Sequence, residues 1–172
     1  MDDVIIETER LFIKQWTLDD IEGLFNVMSD SKVHIYTGDN PWTMERCKSY
    51  IEFNINRKVK SLEDFHGAVV LKESNEIIGL TGLNPYLTKE PEIEWQLGAR
   101  FWGKGYATEV GKAIIEAAFK NTDITKIYGM VNPDNIGSKR VMNKIGMTFL
   151  GFREFRGEET MFYEYGGVLW KK

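Results

Sequence analysis

The segment that is most informative about the fold is Trp102-Gly103-Lys104-Gly105-Tyr106-Ala107-Thr108-Glu109. It lies between a segment that alternates like a strand and a segment with helical spacing. Glycines at 103 and 105 allow the backbone to turn tightly and to approach a ligand closely. The first N–H groups of the following helix then face that ligand with the positive end of the helix dipole. The stretch predicts a cradle for a phosphate or pyrophosphate, with a simple strand-to-helix turn as the alternative.

Two well-known phosphate loops do not fit this stretch. A Walker A loop matches at Gly98, Gly103 and Lys104, but Gly105 stands where a hydroxyl must bind Mg²⁺. A dinucleotide fingerprint requires a third glycine, and Thr108 occupies its place. The sequence therefore predicts an anion cradle that has no metal ligand.

The elements outward from the glycines predict a mixed α/β domain. Thr17 and Thr43 are typical N-caps, and Asp20 is placed to form a capping box with Thr17. A helix is expected to begin at Asn135 and to end before Gly146 as its C′ residue. The periodicities predict strands at 9–16, 65–71, 77–84, 91–97, 124–132, 147–155 and 160–170, with a strong helix at 106–120.

Composition excludes several classes of protein. The 172 residues carry 22 Lys and Arg against 26 Asp and Glu, so the net charge of −4 argues against binding nucleic acid through phosphate neutralisation. No apolar run approaches the ~20 residues of a membrane span. Cys47 is the only cysteine, and His34 and His66 are the only histidines, which argues against disulfides and zinc. We expect a single cytoplasmic domain over 1–172 with no metal, nucleic-acid or membrane partner.

The glycine stretch resembles the acetyl-CoA loop of the GNAT N-acetyltransferase superfamily, Gln/Arg-x-x-Gly-x-Gly/Ala. Gly105 and Ala107 match the pattern, whereas Trp102 replaces the usual Gln or Arg. The longer string to Glu109 resembles the branch that contains ribosomal-protein N-terminal acetyltransferases. Other matches are Glu9-Arg10-Leu11, Thr17 with Asp20, Asn132 with Asn135 and Ser138, and Ile145-Gly146-Met147. The resemblance covers nearly the whole chain and implies a GNAT-like, partly antiparallel central sheet flanked by helices.

The resemblance also implies which residues bind the cosubstrate, acetyl-CoA. Backbone N–H groups of the glycine stretch would hold the pyrophosphate, and the strand at 91–97 would run beside the pantetheine arm. Lys104 and Arg100 either add positive charge near the phosphates or are solvated. The implied binding set is Gln96, Leu97, Trp102, Gly103, Lys104, Gly105, Tyr106, Ala107, Thr108, Asn132, Asn135 and Ser138.

Acetyl transfer to an amine requires a proton acceptor, because an ordinary amine with a pKa of about 10 is protonated at neutral pH. Glu92 and Glu94 alternate onto one face of their strand. Family register favours Glu92 as the base and proximity to the cradle favours Glu94, while a structural ion pair is the alternative. The resemblance places Ser138 near the sulfur as an acid, although Asn135 as an N-cap with Ser138 at N3 is also a local structural device.

Three other groups are weaker candidates. Tyr128 and Tyr163 are possible proton donors to the leaving thiolate, without support from their positions. The loop that contains His34 lines the acceptor pocket in relatives, or is a structural loop held by an aromatic side chain. A backbone N–H near Gln96 or Leu97 would polarise the thioester carbonyl.

The sequence as a whole predicts an N-acetyltransferase that moves the acetyl group of acetyl-CoA directly to an amine in a ternary complex. The acceptor is a protein N-terminus or a small amine, and the chain is expected to be a monomer or a homodimer. The alternative is a catalytically inactive sensor or partner module that binds acyl-CoA with the same fold.

Overall fold

A computed structural model describes residues 4–57, 62–85 and 91–166. Two short strands precede a helical pair, and six further strands with two helices complete the domain. Short 3-10 turns at Leu18–Asp20, Ser31–His34 and Ala99–Phe101 link several elements. In chain order the elements are β1 Val4–Glu7, β2 Leu11–Lys14, α1 Ile21–Met28, α2 Met44–Arg57, β3 Phe65–Leu71, β4 Glu76–Asn84, β5 Glu92–Leu97, α3 Tyr106–Asn121, β6 Lys126–Val131, α4 Ile136–Lys144, β7 Thr148–Phe155 and β8 Glu158–Gly166.

The eight strands form one mixed sheet in the order β1-β2-β3-β4-β5-β6-β8-β7. Every neighbouring pair is antiparallel except β5 and β6, which are parallel because α3 crosses over between them. Within the described residues, β5 and β6 pair at Glu92 and Tyr128, close to the start of β5. Beyond that point the two strands separate, so the sheet opens into a wedge at the end where β5 runs into the glycine stretch.

Helices cover both faces of the sheet with separate apolar clusters. On one face, the stripe of Val110, Ile114 and Ala118 on α3 packs on the strands, as its helical spacing predicts. On the other face, α1 and α2 contribute a second cluster that includes Leu24 and Ile51. The first cluster includes residues of both β5 and β6, so α3 packs across the two strands that border the wedge.

Most predicted elements are confirmed, and their ends are set by the predicted signals. The Asp20 carboxylate accepts hydrogen bonds from the Thr17 backbone N–H and hydroxyl at 2.8 and 2.9 Å. The Thr43 hydroxyl accepts from the Arg46 N–H at 3.2 Å, which caps α2. Gly146 adopts a φ of +88° and ends α4, as a C′ glycine should.

The N-terminal prediction needs correction. The expected strand at 9–16 is shorter, Leu11–Lys14, and a preceding strand, Val4–Glu7, pairs with it. The part of the predicted last strand after residue 166 lies outside the described residues. Across the described ranges, no helix combines the length and apolar character needed to cross a bilayer.

Candidate active site

The glycine stretch forms a tight turn that leads directly into α3. Gly103 and Gly105 have φ values of +76° and +84°, a region that L side chains rarely adopt. A Cβ at Gly103 would meet nothing within 4 Å, and one at Gly105 only Arg10 Nη2 at 3.5 Å. The turn therefore leaves open space in front of the first N–H groups of α3, which have no carbonyl one turn back to accept their hydrogen bonds.

Trp102, the residue that departs from the family pattern, fastens this turn to the sheet. Its indole Nε1–H donates to the Leu97 carbonyl at 2.7 Å, while its ring remains 48% exposed. The bond joins the end of β5 to the turn that follows it. Trp102 therefore has a structural role in holding the turn.

Arg10 and Glu109 hold the turn from the opposite side, a role that their positions in the sequence did not indicate. The Glu109 carboxylate accepts from the Arg10 backbone N–H at 2.9 Å and from Arg10 Nε at 2.7 Å. Arg10 Nη1 also donates to the Lys104 carbonyl at 3.0 Å, and its guanidinium lies 4.5 Å from the centre of the Tyr106 ring. Burial opposes ionisation of Glu109, but hydrogen bonds from Thr8 and Arg10 outweigh it and lower its pKa.

A cavity of about 650 Å³, the glycine-turn cleft, occupies the wedge between β5 and β6. Its described lining includes three basic residues, Lys32, Arg140 and Lys144, and no acidic residue. The electrostatic character suits an anion, and the volume suits an extended ligand. The lining also contains these predicted binding residues: Gln96, Leu97, Trp102, Gly103, Gly105, Tyr106, Ala107, Thr108, Asn132, Asn135 and Ser138.

The side chains of Lys104 and Arg100 have partners outside the described cleft lining. Lys104 is not in the described lining, and its ammonium lies 5.7 Å from the centre of the Phe101 ring. Arg100 forms an ion pair with Glu76 and stacks over the same ring. The cations of the cleft come from the loop after α1 and from α4, which no local motif indicated.

The N-terminus of α4 closes the cleft on the β6 side. The Asn135 side chain accepts from the Ser138 N–H at 3.0 Å, so Asn135 is the N-cap that its residue type predicts. Both side chains also line the cleft. Capping and facing a ligand are therefore compatible at these two positions.

A second cavity, of about 570 Å³, adjoins the first and is called here the carboxylate cavity. Its described lining holds Asp39, Glu92 and Glu94, together with Arg46 and Arg156. The wall common to both cavities consists of Thr37, Trp95, Gln96, Met130 and Ser138. A group in one cavity is therefore separated from a group in the other by single side chains.

The two predicted carboxylates of β5 differ in environment. Burial, and after it the neighbouring charge of Glu94, raises the pKa of Glu92 to about 8, against the opposing effects of Arg156 and a hydrogen bond from the Met130 backbone. The Glu94 side chain is 39% exposed. At neutral pH, Glu92 is therefore mainly protonated.

Asp39 forms the opposite wall with a fixed geometry. Arg46 Nη1 and Nη2 donate to its two oxygens at 2.8 and 2.6 Å, and Trp42 Nε1 donates at 2.9 Å. The hydrogen bond from Arg46 outweighs burial and lowers the pKa of Asp39 to about 2. Asp39 belongs to the loop after α1, and Arg46 belongs to the first turn of α2.

The described linings of the two cavities do not include His34, Tyr128 or Tyr163. His34 is buried, with Nε2 2.7 Å from the Met28 carbonyl, although its loop supplies Thr37 to both linings. Tyr163 is buried and Tyr128 lies on β6, and neither is in the described lining of either cavity. Over residues 4–57, 62–85 and 91–166, no group of three or more His, Cys, Asp or Glu is arranged to hold a metal.

Comparisons with known proteins agree with this geometry. The family model of the acetyltransferase (GNAT) domain matches residues 10–148. The chain is 34% identical over 148 residues to YnaD, an uncharacterized N-acetyltransferase of Bacillus subtilis (strain 168), covering 86% of this chain and 84% of the relative. A GNAT-family acetyltransferase from Bacillus anthracis has a similar structure, with a TM-score of 0.82, 27% identity and coverage of 94% and 97%.

A second solved structure relates to the predicted branch. The ribosomal-protein-S5-alanine acetyltransferase from Vibrio fischeri superposes with a TM-score of 0.79, 20% identity and coverage of 99% of this chain and 100% of the other. At this identity the likeness shows the fold alone.

Proposed function

The chain belongs to the GNAT family of acetyltransferases, and from this premise we propose that it transfers the acetyl group of acetyl-CoA directly to an amine in a ternary complex. Acetyl-CoA occupies the glycine-turn cleft, and the amine occupies the carboxylate cavity. The observation that carries the proposal is the contrast between the two cavities. All acidic residues in the described linings belong to the second cavity, and the charged residues of the first are all basic. The two cavities also share a wall.

The glycine-turn cleft binds the anionic part of acetyl-CoA. The pyrophosphate meets the N–H groups at the start of α3, and Lys32, Arg140 and Lys144 add positive charge. The pantetheine arm lies along β5 in the wedge, which brings the thioester to the wall formed by Gln96 and Ser138. A backbone N–H of β5 on the side that β6 has left then donates to the thioester oxygen as it gains charge.

The carboxylate cavity prepares the amine. At neutral pH its ammonium form is attracted to the cavity and gives a proton to Glu94, directly or through a water, since Glu92 already holds one. The neutral nitrogen attacks the thioester carbon, the carbon–sulfur bond breaks, and CoA leaves as a thiolate. The acetylated nitrogen then releases its remaining extra proton to solvent and becomes the amide. The Ser138 hydroxyl, on the wall between both cavities, donates a proton to that thiolate and regains one from solvent.

The acceptor is a primary amine, either a small molecule or the N-terminus of a peptide. The Glu94 carboxylate recognises the cationic end, and the opening between the α1–α2 loop and the β7–β8 turn, which supplies Arg156, admits the rest of the molecule. The Vibrio fischeri enzyme acts on the alanine of a ribosomal protein, as its name states. A peptide N-terminus is therefore included among the acceptors to be tested.

Steady-state kinetics with a panel of amines tests the proposal. Polyamines, amino acids, an aminoglycoside and short peptides with free N-termini are each combined with acetyl-CoA, and release of the CoA thiol is followed. We expect turnover with at least one amine and intersecting initial-velocity lines when both substrates are varied. Parallel lines would contradict the ternary complex, and acetyl-CoA binding without turnover on any amine would support a non-catalytic acyl-CoA-binding module.

A further inference from the structure

Glu94 is held by a histidine from outside the cavity that it lines. His66 Nδ1 lies 2.8 Å from Glu94 Oε1, and the His66 side chain is only 9% exposed. Among the described residues, the lining of neither cavity includes His66. The histidine therefore contacts the carboxylate without contacting the space that a substrate would fill.

The register of three strands explains how this contact arises. His66 on β3 pairs with Gly82 on β4, and Gly82 pairs with Glu94 on β5, so the three residues form one row across the sheet. Strands are spaced about 4.8 Å apart, and side chains two strands apart normally have a third between them. Gly82 has no side chain, so the row is open and His66 reaches Glu94 directly.

The chemistry of the two groups fixes the direction of the hydrogen bond. An ionised carboxylate only accepts, so the His66 nitrogen that faces Glu94 carries the hydrogen. The Tyr50 hydroxyl lies 3.4 Å from the same nitrogen, and its ring stands edge-on to the imidazole. Tyr50 is itself packed against Trp16 and Trp42, so the histidine has a rigid support behind it.

We propose that His66 is a positioning residue for acetyl transfer, whose Nδ1–H holds the Glu94 carboxylate in place to accept the proton of the amine. The inference rests on the proposed function, because it assigns His66 a role in presenting the proton acceptor of that reaction. A second bond holds the same segment, since the Thr81 hydroxyl donates to the Glu94 carbonyl at 2.6 Å. Glu94 is thus restrained at both its side chain and its backbone.

The other charged or titratable groups around Glu94 enter the expected pH dependence. Glu92 lies on the same strand, and Tyr50 on α2 and His66 on β3 contact or face it from behind. Across the cavity stand the paired Asp39 and Arg46, and Arg156 of the β7–β8 turn. None of these groups changes in the variants described next, except His66.

Two substitutions at His66 separate the hydrogen bond from the packing. His66→Phe fills the same space without a nitrogen, whereas His66→Asn is smaller but keeps an N–H donor in the place of Nδ1. For His66→Phe we expect kcat to fall about tenfold, because a hydrogen bond to a charged group is lost. The KM for acetyl-CoA should stay within about twofold, and the acid limb of the pH profile should move to higher pH. His66→Asn should restore most of the rate and the wild-type limb.

His34→Phe is the matched control, because it removes the other buried histidine from a site without carboxylate contact. If the role of His66 were purely structural, His66→Phe would behave like His34→Phe: the protein would be less stable, and the acid limb of the pH profile would stay in place. A wild-type kcat and pH profile in His66→Phe would overturn the proposal. Absence of turnover in the wild-type chain would instead refute the proposed function, which keeps the two failures distinct.

A spectroscopic measurement tests the hydrogen bond without activity. Long-range ¹⁵N–¹H spectra resolve the tautomers of the two histidines, and His66→Asn identifies the His66 signals. We expect the neutral His66 ring to carry its hydrogen on Nδ1, and the Nε2–H form to increase in Glu94→Gln. A neutral ring in the Nε2–H form in the wild-type protein would overturn the proposal, even if His66→Phe failed to fold.

Discussion

Glu92 and Glu94 are the same residue type two positions apart on β5, yet they are suited to different tasks. Glu92 is partly buried, and its pKa is raised to about 8, so it holds a proton at neutral pH. The Glu94 side chain is 39% exposed and accepts a hydrogen bond from His66. The proton acceptor at neutral pH is therefore expected to be the residue nearer to the glycine-turn cleft.

Conservative substitutions should separate these two roles by rate. Glu94→Gln removes the proton acceptor, and we expect kcat to fall by about 100-fold or more at pH 7. Glu92→Gln resembles the protonated side chain, and we expect kcat to remain within about threefold at the same pH. Kinetics at saturating acetyl-CoA measures both. A larger loss in Glu92→Gln than in Glu94→Gln would reverse the assignment.

Glu92 should also make stability depend on pH. The folded protein binds a proton at Glu92 up to about pH 8, while the unfolded chain releases it near its ordinary pKa of 4.5. Stability must therefore decline as pH rises between these values, because the folded state then binds more protons than the unfolded state. In urea unfolding at pH 5, 7 and 9, Glu92→Gln should lack this decline and gain at least about 1 kcal/mol on the wild type by pH 9.

Glu116→Gln serves as the reference for that measurement, because Glu116 is an exposed glutamate on α3. Its unfolding free energy should follow the wild type across the same range. Equal slopes for the wild type and Glu92→Gln would show that burial at Glu92 has no energetic consequence.

At the scale of elements, local signals predicted most of the structure. The helical stripe of α3, the caps at Thr43 and Asn135, and the C′ glycine at 146 are confirmed because each depends on residues within one turn. The first strand, Val4–Glu7, escaped prediction because its four residues are too short for a clear alternation. The contact of Arg10 with Glu109 spans 99 positions, and no local pattern indicates it either.

The candidate site divides in the same way. The glycine turn, the β5 face and the α4 cap were predicted from neighbouring residues and an implied family register. The basic residues of the cleft and the contact of His66 with Glu94 depend on strand order and on the absence of a side chain at Gly82. Such partners are visible only once the sheet is assembled.

The N-terminus of α4 offers a test at this scale. Asn135→Ala removes the N-cap, and we expect it to lower the free energy of unfolding by about 1 kcal/mol. Asn135→Asp keeps a capping oxygen but brings a negative charge to the cleft, so it should preserve stability and weaken acetyl-CoA binding. Urea unfolding and calorimetric titration measure the two effects. If Asn135→Asp bound acetyl-CoA as the wild type does, Asn135 would be a cap alone.

At the scale of the whole molecule, the proposed function assigns the two substrates to two joined cavities. The first cavity lies in the wedge beyond the pairing of β5 with β6 at Glu92 and Tyr128. The cleft then carries basic residues from the α1 loop and α4, and the carboxylate cavity carries acids from that loop and β5. If the proposed function holds, we expect the choice of acceptor to come from the α1–α2 loop and the β7–β8 turn, which line the second cavity.

Calorimetric titration with acetyl-CoA tests most directly whether the glycine turn is the cofactor cradle. Gly105→Glu imposes a strained backbone on the turn that lines the cleft, whereas Gly151→Glu places the same residue at another positive φ, in β7 and away from the described cleft lining. We predict that Gly105→Glu weakens binding by about 100-fold, while Gly151→Glu binds as the wild type does. Equal affinity of the wild type and Gly105→Glu for acetyl-CoA would contradict the account.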